Sequence, residues 1–269
     1  MNKIVTLFIL FILSRVHAAN IESSELSSFL DKIYKPITTN ILDLYVEIAD
    51  ENLTKKLSEK QVYGKLNDVY VKSYFQHDKD WSSEVVGLGD GFAELKEMIV
   101  ASLFYANYFV FNLALDETFS GYKLKQKDNK NGTVFSGIDI SQKKEFNEIT
   151  IQMDNRKRLE SWTAYDVRGK IITKYEWTNE DWCNGKFLLK KIIIDKTMKQ
   201  VTSKSTFEIF YKYFAEIKSG LPIKIEYSEE TLNTSDKTKV EAKKEIFLRN
   251  YKINEKIASK FNKQQKHIK

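Results

Sequence analysis

The chain has 269 residues, of which 43 are basic, 37 acidic, three histidine and one cysteine. Residues 19–251 carry a net charge of about −1, which excludes the basic surface of a nucleic-acid-binding protein. Cys183 has no second cysteine for an internal disulfide, and so few histidines leave little material for a metal site or a nucleophile–histidine pair. We therefore expect no nucleic-acid partner, no metal, no cofactor and no enzymatic activity.

The first 18 residues predict a cleaved export signal. Lys3 supplies the positive start, residues 5–13 the apolar core, and Val16-His-Ala18 the small-residue cleavage site. Export of a chain without a disulfide favours a bacterial periplasm. Because the chain has only two prolines and no Gly- or Ser-rich linker, we expect one domain over residues 19–254 and a basic tail over residues 255–269.

The segments before residue 90 alternate between helical and extended patterns. Residues 22–34 predict a short amphipathic helix that ends before Pro36. Residues 41–49 alternate between apolar and polar side chains, which predicts a half-buried strand. A polar connection at residues 52–60 follows, and residues 69–75 and 84–87 predict two further strands.

Residues 92–115 carry the helical signal around which the chain is organised. Apolar residues at steps of three and four form one stripe, which consists of Phe92, Leu95, Ile99, Leu103, Ala106, Val110 and Leu113. Residues 98–115 carry no charge, so this helix must be surrounded by protein or by lipid. Because no Lys or Arg cluster flanks it, a buried helix is favoured over a membrane-spanning one.

After residue 121 the hydrophobic period changes from that of a helix to that of strands. Strand-like runs occupy residues 122–127, 133–140, 148–154, 158–165, 170–178, 186–195, 205–215, 222–229 and 239–251. Their short connections cannot hold crossover helices, so the sheet should be an antiparallel meander. With the early strands it has about eleven strands, too many to stay flat. We predict an α+β fold, mostly antiparallel β, in which the 92–115 helix covers the concave face of a strongly curved sheet or incomplete barrel.

Alternation along the strands separates a dry face from a wet one. The apolar positions that share a face are Ile149, Ile151 and Met153, then Ile171, Tyr175 and Trp177, and finally Ile223, Ile225 and Tyr227. A curved sheet of this kind is filled by side chains, by a helix or by a ligand. The aromatic residues around Trp162 therefore have two interpretations, as packed cross-strand pairs or as the wall of an apolar cavity.

The order of these features resembles the Lol-type family, the periplasmic lipoprotein carriers and outer-membrane lipoprotein receptors of Gram-negative bacteria. The local patterns that carry the resemblance are Tyr165-Asp-Val-Arg-Gly169 before a strand, Gly220-Leu-Pro-Ile-Lys-Ile-Glu226, and Phe247-Leu-Arg-Asn-Tyr-Lys-Ile-Asn254. The resemblance implies an unclosed barrel with helices as a lid and an apolar cavity that shields acyl chains. It also implies a monomer that takes its cargo from an inner-membrane donor and delivers it to an outer-membrane acceptor.

The first hypothesis is therefore a periplasmic carrier that binds the acyl chains of lipids or lipoproteins between the sheet and the helix. The expected lining residues are Leu95, Ile99, Leu103, Ala106, Val110 and Leu113 of the helix, with Ile151, Tyr175, Trp177 and Ile225 of the sheet. The alternative is an exported enzyme or polysaccharide-processing factor that uses the same concave sheet. The lysine-rich tail, in which Ile253, Ile257 and Phe261 recur every four residues, suggests transient contact with a membrane surface or a frayed basic end.

Overall fold

The computed structural model describes residues 19–22, 26, 41–60, 66, 68–76, 79–103, 106, 121–139, 146–181 and 187–255. The expected signal peptide, Cys183 and the tail beyond Glu255 lie outside the described residues. So does the expected helix over residues 22–34, apart from Glu22 and Leu26. Glu22 is extended, whereas Leu26 is helical and buried.

Within these described residues, thirteen strands form one antiparallel sheet. The first four are β1 (Ala19–Glu22), β2 (Asp43–Asp50), β3 (Tyr70–Gln76) and β4 (Lys79–Val86). The next five are β5 (Tyr122–Asn129), β6 (Gly132–Asp139), β7 (Glu148–Asp154), β8 (Leu159–Tyr165) and β9 (Ile171–Asp181). The last four are β10 (Phe187–Met198), β11 (Val201–Phe214), β12 (Ser219–Asn233) and β13 (Lys239–Ile253). The predicted mostly antiparallel fold is confirmed, but the described part of the sheet has thirteen strands and not about eleven, including a short strand at Ala19–Glu22 that the alternation did not predict.

The strand order combines a long meander with two long-range pairings. Strands β5 to β13 are neighbours in sequence order, while β2 pairs with β13 and β1 pairs with β5. In the β2–β13 pairing, Ile48 lies opposite Leu248. Among the described strands, β1 and β4 each have one neighbour, so the sheet has two edges and is open.

In the part of the chain that the structure describes, two helices join the early strands. Helix α1 (Glu51–Ser58) begins where Asp50 caps it, since the Asp50 carboxylate accepts hydrogen bonds from the backbone N–H groups of Asn52 and Leu53 at 3.0 and 3.2 Å. A 3₁₀ turn over Asp90–Phe92 leads into α2 (Ala93–Ser102), which packs against β4. Within the described part of the chain, no helix combines the length and apolarity needed to cross a bilayer.

The long helix predicted over residues 92–115 is seen only in part. Its described portion is α2, after which Leu103 leaves the helical conformation and Ala106 is helical again. Residues 104–105 and 107–115 lie outside the described residues. The expectation that this helix is surrounded on all sides is wrong for α2, because Met98 is 68% exposed. Ile99 is buried, and Leu95 and Val100 pack against the core, whereas Met98 and Ala101 are exposed, so α2 is amphipathic in its surroundings.

The inner face of the sheet and the stripe of α2 form one continuous core. Along β7, Ile149, Ile151 and Met153 are all buried, as the alternation predicts. The same alternation fails at Ile171 and Ile223, which are 48% and 37% exposed. Each lies at a β-bulge, where the register shifts between Ala164 and Tyr165 or between Phe210 and Tyr211. A bulge inserts one residue and so reverses the alternation beyond it.

Strand β2 also departs from its half-buried prediction. It lies between β13 and β3, and both of its faces are covered except at Glu47. Asp43 is buried, although the alternation placed it on the wet face, and the preceding Leu42 is exposed. Tyr45 is buried as well, with the Lys252 ammonium 5.5 Å from its ring centroid. Aromatic and long basic side chains therefore cover the face of β2 that the alternation predicts to be exposed to solvent.

The outer face of the meander is charged. Ion pairs connect neighbouring strands there, including Lys191 with Glu208 at 2.8 Å and Lys224 with Glu245 at 2.9 Å, and Lys224 also pairs with Glu226 on its own strand at 2.7 Å. Exposed pairs of this kind contribute little to stability. They keep the outer face in contact with water, which leaves the inner face as the apolar surface available for packing or binding.

Candidate functional site on the inner face

The inner face brings together most of the lining residues predicted from the sequence. The buried members of the common core are Ile99, Leu103, Ala106, Ile151, Trp177 and Ile225, and the partly buried members are Leu95 and Tyr175. Val110 and Leu113 lie outside the described residues. These buried members belong to one packed core, so a ligand in contact with them would have to displace side chains that now fill it.

An aromatic wall crosses β8 and β9 on this face. Trp162 and Tyr175 lie opposite each other and stack, with ring centroids 4.5 Å apart and planes at 13°. Tyr175 continues the wall to Trp177, with centroids 6.1 Å apart, and Phe146 meets Trp162 edge-on at 6.1 Å. Trp162 and Tyr175 form the packed cross-strand pair of the first interpretation. The same rings would line an apolar cavity under the second interpretation.

Beyond the wall, the side chains on the inner face are less completely buried. Tyr175 lies opposite Ile194 on β10, and Phe207 on β11 lies opposite Tyr227 on β12 with ring centroids 4.9 Å apart. Tyr175, Ile194 and Tyr227 are only partly buried, although each packs against the common core. We call the patch formed by Tyr175, Ile194, Phe207 and Tyr227 the half-covered strip. It is an apolar surface that continues the core to a region that solvent reaches.

The strip ends in polar groups. The Tyr227 hydroxyl donates a hydrogen bond to the Glu229 carboxylate at 2.7 Å, and Ser205 lies opposite Glu229 on the neighbouring strand. Burial, together with the hydrogen bond to Glu229, raises the pKa of Tyr227 to about 12. The phenol is therefore a neutral donor at physiological pH. The face thus passes from apolar at the wall to hydrogen-bonding at Ser205 and Glu229.

Two buried polar atoms on β9 have no hydrogen-bond partner among the described residues. They are the indole nitrogen of Trp177 and the side-chain oxygen of Asn179. The amide nitrogen of Asn179 is engaged, since it donates to the backbone carbonyl of Leu159 at 2.7 Å. A buried donor without an acceptor costs about 1–3 kcal/mol, so a ligand or water oxygen near Trp177 would be stabilised there.

The sequence did not indicate Ile194 or Phe207 as site residues. It indicated Tyr227 only as one of the apolar positions that share a face of the sheet. The alternation at Ile194 and Phe207 was visible, because Ile192 and Ile194 on β10, like Phe207 and Ile209 on β11, are two positions apart. Alternation along one strand does not show the register, which places Ile194 opposite Tyr175. Register depends on long-range pairing and cannot be read from one strand.

A groove of about 470 Å³ lies largely on the other, outer face of β10 to β13. Its lining is charged and polar, and consists of Lys191, Thr206, Glu208, Glu226, Tyr227, Ser228, Lys243, Lys244 and Glu245. Lys191 and Glu208 already neutralise each other across it at 2.8 Å. Such a lining does not suit an acyl chain, because burying charged groups against hydrocarbon is costly. The inner face is the better candidate for an apolar ligand.

No protein-family model and no curated protein matches this chain. Two solved structures are similar to it. An outer membrane lipoprotein-sorting protein domain from Vibrio parahaemolyticus matches 87% of this chain and 92% of its own, at 7% identity and a TM-score of 0.35. A LolA superfamily protein from Nitrosomonas europaea matches 87% of this chain and 94% of its own, at 8% identity and a TM-score of 0.32. Both carry names of the Lol-type family that the order of sequence features resembles.

Proposed function

We propose that this protein is a carrier that binds an acyl chain of a lipid or lipoprotein along the half-covered strip. The observation that carries the proposal is the continuity of the apolar surface. It runs from the buried wall at Trp162 and Trp177 to the partly covered Tyr175 and Ile194. A flexible hydrocarbon chain suits such a surface, because apolar attraction is non-directional and follows the area covered.

The energy available from this surface is adequate for a carrier. Each CH₂ group removed from water contributes about 0.8 kcal/mol, so six of them contribute about 5 kcal/mol. That is enough for reversible binding, and a deeper position beneath α2 would add more. The helix stripe at Ile99 and Leu103 would then rise from the sheet and act as the lid.

The polar end of the strip supports a chain with a hydrogen-bonding head. A head group at the open end would meet the Glu229 carboxylate and the Ser205 hydroxyl, which are paired across β11 and β12. A carbonyl oxygen further along the chain would accept from the indole N–H of Trp177, which lacks a partner among the described residues. An acyl ester or amide offers such an oxygen.

The cellular setting belongs to the same proposal. The signal-like leader predicts export, and the Lol-type resemblance adds a periplasmic location, a donor at the inner membrane and an acceptor at the outer membrane. We propose that the protein acts as a monomer and without catalysis. The acyl chain would be shielded on the inner face while the charged outer face keeps the complex soluble.

The test is binding of a fluorescent fatty acid, 11-dansylaminoundecanoic acid, to the purified protein after delipidation. Ile194→Asn should weaken binding about tenfold, since it places an amide on the strip. Ile193→Asn is the matched control, because Ile193 is adjacent on β10, also partly buried, and faces outward. It should leave binding unchanged.

Native mass spectrometry of the protein released gently from the cell envelope provides the second measurement. A bound mass that matches a phospholipid, fatty acid or lipopeptide is the expected result. Failure of the delipidated protein to take up the dansyl probe and a lipopeptide would overturn the proposal. Turnover of a polysaccharide by the same preparation would favour the enzyme hypothesis instead.

A further inference from the structure

One end of the sheet carries three hairpin turns side by side. The β8–β9, β10–β11 and β12–β13 turns lie there, because Thr173 pairs with Lys196, Met198 with Val201, and Leu232 with Lys239. We call residues 166–171, 196–204 and 231–243 the hairpin rim. It is separate from the half-covered strip, which lies nearer the middle of the same strands.

The hairpin rim exposes several apolar side chains, which a surface that contacts only water does not require. Val167 is 82% exposed, Val240 60% and Met198 56%, and Val201 and Leu232 are exposed beside them. Met198 and Val201 are directly opposite each other, so their side chains form one patch across β10 and β11. Clustered exposed apolar residues at turns mark contact with a partner or a membrane.

The excess of basic residues in the hairpin rim indicates a partner with a negatively charged surface. The three segments of the rim contain eight basic and three acidic residues, whereas residues 19–251 as a whole are close to neutral. Of the acidic residues, Asp166 and Asp236 are occupied by the turns themselves, accepting hydrogen bonds from the N–H groups of Lys170 and Thr238 at 2.9 and 2.8 Å. A basic surface with interspersed apolar side chains is complementary to a bilayer with anionic head groups.

The hairpin rim is also held rigid. The Gln200 carbonyl at the tip of β10–β11 accepts hydrogen bonds from the Thr234 N–H and hydroxyl at the neighbouring tip, at 2.7 and 2.9 Å. The side chains of Gln200 and Ser235 are hydrogen-bonded as well. Two adjacent turns thus form one unit, so little conformational entropy is lost when it docks.

We propose that the hairpin rim docks the protein on the surface of a membrane that contains anionic phospholipid. Met198, Val201 and Val240 enter the head-group layer, and Lys199 and Lys237 at the turn tips contact lipid phosphates. The proposal does not depend on an acyl chain in the half-covered strip. It places the strip's end of the sheet toward the bilayer, where a lipid-linked cargo would leave or enter.

The test is co-sedimentation of the full-length protein with vesicles of phosphatidylcholine alone and of phosphatidylcholine with phosphatidylglycerol. We expect binding to the anionic vesicles and its loss at high salt. Removing one lysine near an anionic surface weakens binding about fivefold, so K199Q/K237Q should weaken it by about 20- to 30-fold. M198S/V240S should weaken it by at least fivefold through loss of the apolar contact.

Matched controls lie at the opposite end of the sheet. Lys218→Gln removes a lysine from the β11–β12 turn, and Leu42→Ser removes a side chain that is 63% exposed. Both should sediment like the unaltered protein. Absence of binding to anionic vesicles, or equal losses in the controls, would overturn the proposal. Loss with K199Q/K237Q but not with M198S/V240S would also overturn it, since that pattern indicates adsorption by charge alone, without entry of the apolar side chains into the head-group layer. Uptake of the dansyl probe should be unchanged in every rim variant.

Discussion

Trp162 and Tyr175 stack nearly parallel across β8 and β9, with 4.5 Å between their ring centroids. One ring is buried and the other only partly so. The pair therefore forms the boundary between the core and the half-covered strip. A ligand that lies along the strip would touch Tyr175 before any buried aromatic residue.

Replacing Tyr175 with Ser should reduce affinity for the dansyl probe about tenfold, because the strip loses a partly exposed aromatic ring. The free energy of unfolding should also fall, because Tyr175 loses ring contacts with both Trp162 and Trp177, each worth about 0.5–1.5 kcal/mol beyond area burial. Tyr213→Ser, at a site that is 51% exposed on β11, is the control. Equal affinity in the two variants would place the ligand elsewhere.

Helix α2 offers a sharp contrast between its two sides. Leu103, just after the helix, is 1% exposed, and Met98 is 68% exposed. Leu103→Asp should unfold the protein, because a buried unpaired carboxylate costs several kcal/mol against a total stability of about 5–15 kcal/mol. Met98→Asp should leave the thermal midpoint nearly unchanged. Circular dichroism of both variants measures this. A folded Leu103→Asp variant would instead indicate that α2 separates readily from the sheet.

Asp154 in the β7–β8 turn should set part of the acid sensitivity of the fold. Partial burial opposes its ionisation, but hydrogen bonds from the Arg158 N–H and guanidinium and the Arg156 N–H outweigh it and hold the pKa of Asp154 below its ordinary value. A lowered folded-state pKa stabilises the protein above the unfolded-state value of about 4, and this contribution disappears as the pH falls through the folded-state pKa.

We therefore expect Asp154→Asn to lower the free energy of unfolding by about 1 kcal/mol at neutral pH. The difference from the unaltered protein should shrink below about pH 4. Urea unfolding at a series of pH values gives both quantities. A difference that stays constant down to pH 2 would show that the charge of Asp154 contributes nothing.

Lys199 and Lys218 both adopt the left-handed conformation, with φ of 52° and 50°. For a residue with a side chain this costs about 1–2 kcal/mol, while glycine costs about 0.5–1 kcal/mol in extra unfolded-state entropy. Lys199→Gly and Lys218→Gly should each therefore raise the free energy of unfolding by up to about 1 kcal/mol. Only Lys199→Gly should also weaken binding to anionic vesicles. Chemical denaturation and co-sedimentation measure the two effects, and a parallel change in both variants would contradict docking through the hairpin rim.

Much of the meander could be predicted from local patterns, because turns and alternation are local properties. Strand β7 has the predicted bounds, and the turn between β5 and β6 ends at Gly132, whose φ is 141°. A Cβ there would lie 2.0 Å from the Met153 carbonyl oxygen, so only glycine fits. Local patterns failed where bulges reverse the alternation, as at Ile171 and Ile223, since the extra residue is defined by the partner strand.

The candidate site was less accessible to sequence reasoning than the fold. Periodicity identified Ile99, Leu103, Ile151 and Trp177 as apolar and facing inward, and the structure places them in one core. It could not separate residues that only fill the core from those at its partly covered margin. That distinction depends on how far the cover extends, and so on contacts between distant segments. Ile194 became a candidate only when its pairing with Tyr175 was known.

The pairing of β2 with β13 also determines the order in which the sheet can be completed. Strands β2 to β4 emerge from the ribosome or a translocation channel well before β13, the second partner of β2, which ends at Ile253. Until β13 arrives, β2 presents an unpaired edge whose residues Leu44, Val46 and Ile48 are destined for the core. Such an edge invites pairing with another chain. The N-terminal hairpins therefore cannot complete their pairing until nearly the whole chain is available. A truncation within β13 would leave the edge of β2 unpaired and would cause aggregation.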